Sequence, residues 1–364
     1  MNISKKLPFM LAFCISTLFA AVEQNTQNQL VEAPAKTKIG SSAAASFIYW
    51  TPRVDGLTYA QTGRNSLETI SNQNISNLLD LPQGKDLSVN WQWEPGFKVD
   101  LGWEFRNQWR INLEYTWLYS KAKDSKSTVD GIFPNIDAFP LDIVAVTGEV
   151  NRAKASWDLH YQLLHLELGR EYHYTSALKF RTCFGATITY QKQNYSMLYV
   201  IPPFNISLGS GSSLSSSQQV TFNTSDQQKV FGSGLRLAFY PTWHITSWFG
   251  FQGTVGISYL WMYYELMRKD SLGANLAVQG ENIGVKAKLA NIKTNVRAMK
   301  LFFNASLGIF FETPDINDQF RFNLFLGWET HIWINQTLQI NLGDQLSRYD
   351  LTMQGLTARL RLDF

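Results

Sequence analysis

The sequence predicts an all-β chain closing into a transmembrane, antiparallel up-and-down β-barrel of about ten strands with long extracellular loops. Three observations predict it: an amphipathic closing strand, aromatic-rich alternation along the chain, and short and long connections that follow one another in strict turn. The closing stretch reads LTMQGLTARLRLDF, in which Phe364, Leu362, Leu360, Ala358 and Leu356 occupy one parity and Asp363, Arg361, Arg359 and Thr357 the other. One face suits hydrocarbon and the other water. A closed barrel has no free edge to cover, and a terminal aromatic on such a strand is the pattern read by the barrel-assembly machinery. Phe364, Leu362 and Leu360 are therefore the expected assembly signal, with that machinery and outer-membrane lipid as partners.

The clearest strand is 109–120, WRINLEYTWLYS, where Trp109, Ile111, Leu113, Tyr115, Trp117 and Tyr119 alternate with Arg110, Asn112, Glu114, Thr116 and Ser120. Aromatics at both ends look like the two interfacial girdles of a membrane wall. Just before it, Phe97, Val99, Leu101, Trp103 and Phe105 alternate with Lys98, Asp100, Gly102, Glu104 and Arg106, and only Asn107 and Gln108 intervene, which predicts a tight hairpin. Further short turns are expected near 170–176, 241–244 and 314–318. The long connections are 53–95, 121–152, 196–228, 265–293 and 334–350. Short turns belong in the periplasm and long loops outside. The expected strands are 41–52, 95–106, 109–120, 153–168, 177–192, 229–240, 245–263, 294–311, 319–333 and 351–364. Twelve or fourteen strands stay open, because GLTYAQT and IGVKAKLA inside long connections also alternate. The Ser- and Gly-rich loop 196–228 reads as solvated. By contrast, GIFPNIDAFPLDIVAV, in 121–152, is apolar enough to fold inward as a plug, to pack on neighbouring loops or to face another subunit of a homo-oligomer.

The ends and the composition agree with export. Lys5 and Lys6 precede LPFMLAFCISTLFA and the small pair Ala20 and Ala21, the layout of a cleaved signal peptide over 1–20. Residues 21–40 are then a periplasmic segment and 41–364 the barrel, placing the protein in the bacterial outer membrane. No later run is long and apolar enough for a membrane helix, so strands must do the spanning. The mean hydropathy of −0.16 fits strands that hide their apolar face by alternation. Lys and Arg number 32 against 29 Asp and Glu, and loss of Lys5 and Lys6 with the signal brings the two close to balance, which removes any case for a nucleic-acid surface. Of the 2 cysteines, Cys14 leaves with the signal, and its preceding Phe13 does not fit a lipidation site. Cys183 alone cannot build a disulfide framework and falls on the inward parity beside Arg181 and Gly185.

FIYWTPRVDGLTYA (47–60), WEPGFKVDLGWEF (93–105), WDLHYQLLHLELGREY (157–172), FNLFLGWETHIWINQ (322–336) and the closing strand together resemble the major outer membrane protein family of legionellae and the environmental chlamydiae. The resemblance spans nearly the whole mature chain and implies a porin-like envelope barrel, sometimes with adhesive roles. Some of that family are cysteine-rich and cross-linked, which a chain with Cys183 alone cannot be. The resemblance brings no catalytic residues.

The inward parity carries the remaining chemistry. Asp158 and His160 are read as sharing the inward face, as are His165 with Glu167 and Glu329 with His331, and such pairs are expected to be hydrogen-bonded lumen groups rather than catalytic ones. The scattered histidines lack metal-site spacing, so neither metal nor cofactor is expected. The selectivity candidates lining the lumen are Lys98, Asp100, Glu104, Arg110, Glu114, Asp158, Arg236, Lys300 and Glu329. Lys154, Lys179, Arg181, Arg321, Arg359 and Arg361 add to an inward face of mildly positive sign. The expected function is a non-enzymatic, porin-like channel passing small hydrophilic solutes with a weak anion preference. The alternative is a structural or adhesive surface barrel with a closed, salt-bridged lumen, since small barrels are filled by their own side chains.

Overall fold

A computed structural model describes residues 40–62, 85–105, 108–134, 150–202, 204–207, 213–216, 219–278, 281–313, 320–341 and 346–364. The expected signal peptide, the segment 21–39, Arg106, Asn107, the turn at 314–318 and the apolar stretch from 135 to 146 lie outside the described residues.

The strands are β1 (Gly40–Val54), β2 (Thr58–Thr62), β3 (Lys85–Ser88), β4 (Glu94–Glu104), β5 (Trp109–Pro134), β6 (Val150–His173) and β7 (Leu178–Ile201). They continue as β8 (Phe204–Ser207), β9 (Ser213–Ser216), β10 (Val220–His244), β11 (Phe249–Val278), β12 (Glu281–Glu312), β13 (Arg321–Ile340) and β14 (Leu346–Asp363). Hydrogen bonds order 10 of them as β10-β7-β6-β5-β4-β1-β14-β13-β12-β11, and β11 pairs back onto β10 to close the ring. That settles the strand number at the lower of the open values. GLTYAQT supplies β2, which pairs with β3 and the far end of β5 outside the ring, and IGVKAKLA is part of β12. The closing strand pairs with the first one, Ala43 opposite Leu362 and Phe47 opposite Ala358, and the backbone of Phe364 bonds to Ser41 at 2.7 and 2.8 Å.

Period-two burial sets the two faces. Phe97, Val99, Leu101 and Trp103 on β4, Leu235 and Leu237 on β10, and Leu307 on β12 point outward and are exposed, as lipid-facing residues must be. At one end of the barrel, Thr175 Oγ1 accepts from the amides of Ala177 and Leu178, and Thr246 Oγ1 accepts from Trp248 and Phe249. The same Thr-Ser turn thus closes two periplasmic hairpins. The second of them lies at 245–248 rather than 241–244: β7 pairs with Tyr240 and Pro241, which β11 leaves unpaired, so the strand runs on past the proline.

Above the lipid belt the described residues of the expected long loops are largely strand. β11 and β12 are 30 and 32 residues long, about three times what a tilted strand needs to cross. Residues 196–201 and 220–225 pair with each other instead of forming a solvated loop. β5, β6, β7, β10, β11 and β12 therefore build a tall wall, whereas β13, β14, β1 and β4 stop lower.

Two pieces fold into the tall wall's mouth. One follows β1: Leu57, Tyr59 and Ala60 are buried with Val89, and Tyr199 donates its hydroxyl to the Tyr59 carbonyl at 2.6 Å. This inserted piece belongs to the first long connection. The other is the top of β13. Asn335 takes φ 52°, the register shifts between Trp333 and Thr337, and every residue from 336 to 340 is buried.

Candidate functional site

The site is the barrel interior, which falls into layers along the axis. Nearest the periplasm are inward arginines and carboxylates: Arg110 against Ser42, Asn112 to Asp100 at 2.5 Å, Arg361 to Asp363 at 2.5 Å, and Arg359 to Gln252 at 2.7 Å. Gly102 makes the Arg110 position feasible, because a side chain there would collide with that guanidinium.

Above them, ion pairs cross the lumen. Lys98 from β4 pairs with Glu329 from β13 and lies 3.6 Å from Glu114. The same Glu329 accepts from His331 at 2.8 Å and from Thr357 at 3.1 Å. Arg236 bonds Glu167 at 2.5 Å and Asn304 at 2.8 Å, and Tyr240 donates to both Glu167 oxygens at 2.6 and 2.8 Å. Gly256 leaves room for the Arg236 head group. Charges taken out of water survive only when paired in this way, and removing one partner strands the other.

An aromatic layer follows. Phe302 and Trp333 stack at 4.1 Å, Trp50 meets His331 at 4.7 Å, and His165 stacks on Phe302 at 6.1 Å. Tyr161 reaches Nδ1 of His331 at 3.3 Å. β6 and β13 stand five places apart in the ring, so this contact joins opposite walls.

The extracellular layer is built of amides. Gln336, at the inward bend of β13, donates to Gln191 at 3.1 Å and accepts from Tyr264 at 3.0 Å. Gln228 donates to the Gln336 carbonyl at 3.2 Å and accepts the Leu338 amide at 2.7 Å. Thr337 donates to Gln193 at 3.1 Å, and Gln339 to Asp226 at 3.0 Å. Lys300 donates to the Asn335 carbonyl and lies 5.6 Å from the Tyr264 ring centre. Beside this strap a cavity of 20 Å³ is lined by Leu57, Trp157, Asp226 and Leu338 among others, room for about one water. Outside the barrel strands, Tyr59 donates to Asp124 at 2.7 Å; burial first and then this hydrogen bond hold its phenol pKa above the ordinary value.

Of the expected lumen residues, Lys98, Asp100, Arg110, Glu114, Arg236, Lys300 and Glu329 point inward, and Glu104 does so at the exposed periplasmic rim. Asp158 does not. Burial along β6 falls on Trp157, Leu159, Tyr161, Leu163, His165 and Glu167, so Asp158, His160 and Lys154 face outward. Asp158 accepts from Asn194 at 2.6 Å, and His160 packs on Tyr119 at 4.5 Å, which dissolves the expected inward acid and histidine pair. Cys183 faces inward and is buried. Phe364, Leu362 and Leu360 lie on the outward parity of the β1–β14 seam. The sequence reading missed Gln191, Gln193, Gln228 and Gln336, whose signal is glutamine at inward parity above the belt.

The family model described as Legionella pneumophila major outer membrane protein precursor matches residues 34–364. No curated protein matches. Among solved structures, the outer membrane protease OmpT from Escherichia coli is 8% identical, with 92% of this chain and 99% of that chain covered, at a TM-score of 0.37. The toluene transporter TodX of Pseudomonas putida is 10% identical with 93% of each chain covered, at a TM-score of 0.23. Ail, the attachment invasion locus protein of Yersinia pestis, is 8% identical with 89% of this chain and 99% of that one covered, at a TM-score of 0.21. Likenesses at such scores carry no weight for mechanism.

Proposed function

The chain belongs to the Legionella major outer membrane protein family, and from that premise we propose that it is a structural surface barrel whose lumen is closed. It sits in the outer membrane and carries a tall extracellular wall into the medium. The observation behind this reading is the set of direct contacts across the interior, Tyr161 with His331 between opposed strands and Lys98 with Glu329 between strands three places apart in the ring. Side chains that meet across the interior narrow any water path at these two levels. The alternative of a porin-like conduit for small hydrophilic solutes rests on the inward cations. Three of them, Lys98, Arg236 and Arg361, are paired with Glu329, Glu167 and Asp363, which weakens the expected anion preference.

Sugar uptake into proteoliposomes tests the proposal. Vesicles containing the folded protein are expected to swell in isotonic arabinose no faster than empty vesicles, with a large open porin as the positive control. Swelling close to that control would give the conduit reading the stronger claim.

A further inference from the structure

We propose that the outward face just above the lipid belt, around Lys192 and Lys229, binds the phosphate group of an outer-leaflet lipid. The belt's upper edge on this side is an aromatic rung in which Tyr190, Phe231 and Tyr263 are directly opposite one another on β7, β10 and β11. Tyr190 and Phe231 are 40% and 52% exposed, as interfacial rings are. One rung higher on the same face, Lys192 of β7 lies directly opposite Lys229 of β10. Cross-strand neighbours have their Cβ atoms about 5 Å apart, and like charges placed so are destabilising unless something anionic lies between them.

The protein supplies little of that anion. Glu265 is opposite Lys229 on its other side, and Asp158 lies a rung above Lys192 but is held by Asn194 at 2.6 Å. Against these acids stand the two lysines together with Arg297, opposite Tyr263, and Lys293, opposite Met267, on the neighbouring rungs. None of these cations has a carboxylate within ion-pair distance among the described residues. The face is therefore net positive at the height where headgroup phosphates lie, directly above rings that mark the hydrocarbon boundary. A phosphate has acceptor oxygens for two ammonium groups at once, and its acyl chains would lie along the apolar rungs below. Free inorganic phosphate shares the headgroup chemistry but not the chains, so the lipid is the committed occupant.

The test uses the folded, detergent-solubilised full chain, titrated with bisphosphorylated lipid A, with the same lipid dephosphorylated, and with inorganic phosphate alone. Binding is read by native mass spectrometry, and heat-modifiable gel mobility confirms folding. Wild type is expected to retain the phosphorylated lipid, and Lys192→Gln with Lys229→Gln to weaken retention by about tenfold, since two charge-assisted contacts are lost. Lys192→Arg with Lys229→Arg should retain it. Equal retention of the dephosphorylated lipid by wild type, or unchanged binding in the glutamine variant, would overturn the site. Binding of inorganic phosphate as strong as that of the lipid would overturn the lipid as occupant. The wild-type comparison of the two lipids decides the matter even if the glutamine variant does not fold.

Discussion

The periplasmic and extracellular halves of this interior are filled by different means. In the lower half long side chains do the filling: Lys98, Arg110, Arg236 and Arg359 reach in from the wall and find Glu329, Ser42, Glu167 and Gln252. In the upper half backbone itself enters, as the bend of β13 at Asn335 and the segment carrying Leu57 and Tyr59. Arginine and lysine heads on flexible stems can rearrange by changing rotamer, whereas an inserted strand must be unpaired before it moves. The difference teaches that the proposed closure would rest more on the amide and aromatic layers than on the ion pairs, although the charges first draw the eye in the sequence.

The strongest way to break that comparison is to cut into the aromatic layer. Phe302→Ala removes the ring between Trp333 and His165, and should lower stability by about 3–5 kcal/mol, read from the urea midpoint of unfolding in lipid vesicles. Next comes a charge on the lipid face. Leu235, 64% exposed on the outside of β10, should cost about 2–4 kcal/mol as Leu235→Arg, in the same assay. A neutral result there would mean that the outward face is misassigned. The amide strap should give a smaller value: Gln336→Ala leaves Gln191 and Tyr264 without their partner, at about 1–3 kcal/mol. Smallest is Asp158→Asn, expected to stay within about 0.5 kcal/mol because the side chain lies on the outer surface above the belt. A large loss from that change would restore Asp158 to the lumen.

The misreading of Asp158 has a physical cause that runs through the whole fold. Along WDLHYQLLHLELGREY the apolar parity changes at Leu163 and Leu164: Trp157, Leu159, Tyr161 and Leu163 are buried inside, while Leu166 and Leu168 are exposed outside. Where lipid surrounds the barrel, the outside is the apolar medium. Above the belt the outside is water and the filled lumen becomes the drier side, so the hydrophobic face turns over. β7 does the same, with Phe184 and Ile188 outside and Tyr195, Met197, Tyr199 and Ile201 inside. Taking the apolar side as the outward one everywhere therefore gave the right facing for β4, β5 and β14, which the lipid belt dominates, and the wrong one for Lys154, Asp158 and His160. The ring of strands was legible because alternation inside the belt is strong and the turns are short. The extensions were not, because glutamine, threonine and serine on both faces read as loop, and neither the inward bend at Asn335 nor the insertion of Leu57 has a periodic signature.

Planar-bilayer recording tests the closed lumen most directly. Folded wild-type protein is expected to give no sustained single-channel steps in symmetrical salt, while Gln336→Ala combined with Phe302→Ala should give intermittent ones as the upper seal loosens. Steady steps from the wild type, with a reversal potential favouring anions in a salt gradient, would contradict the account.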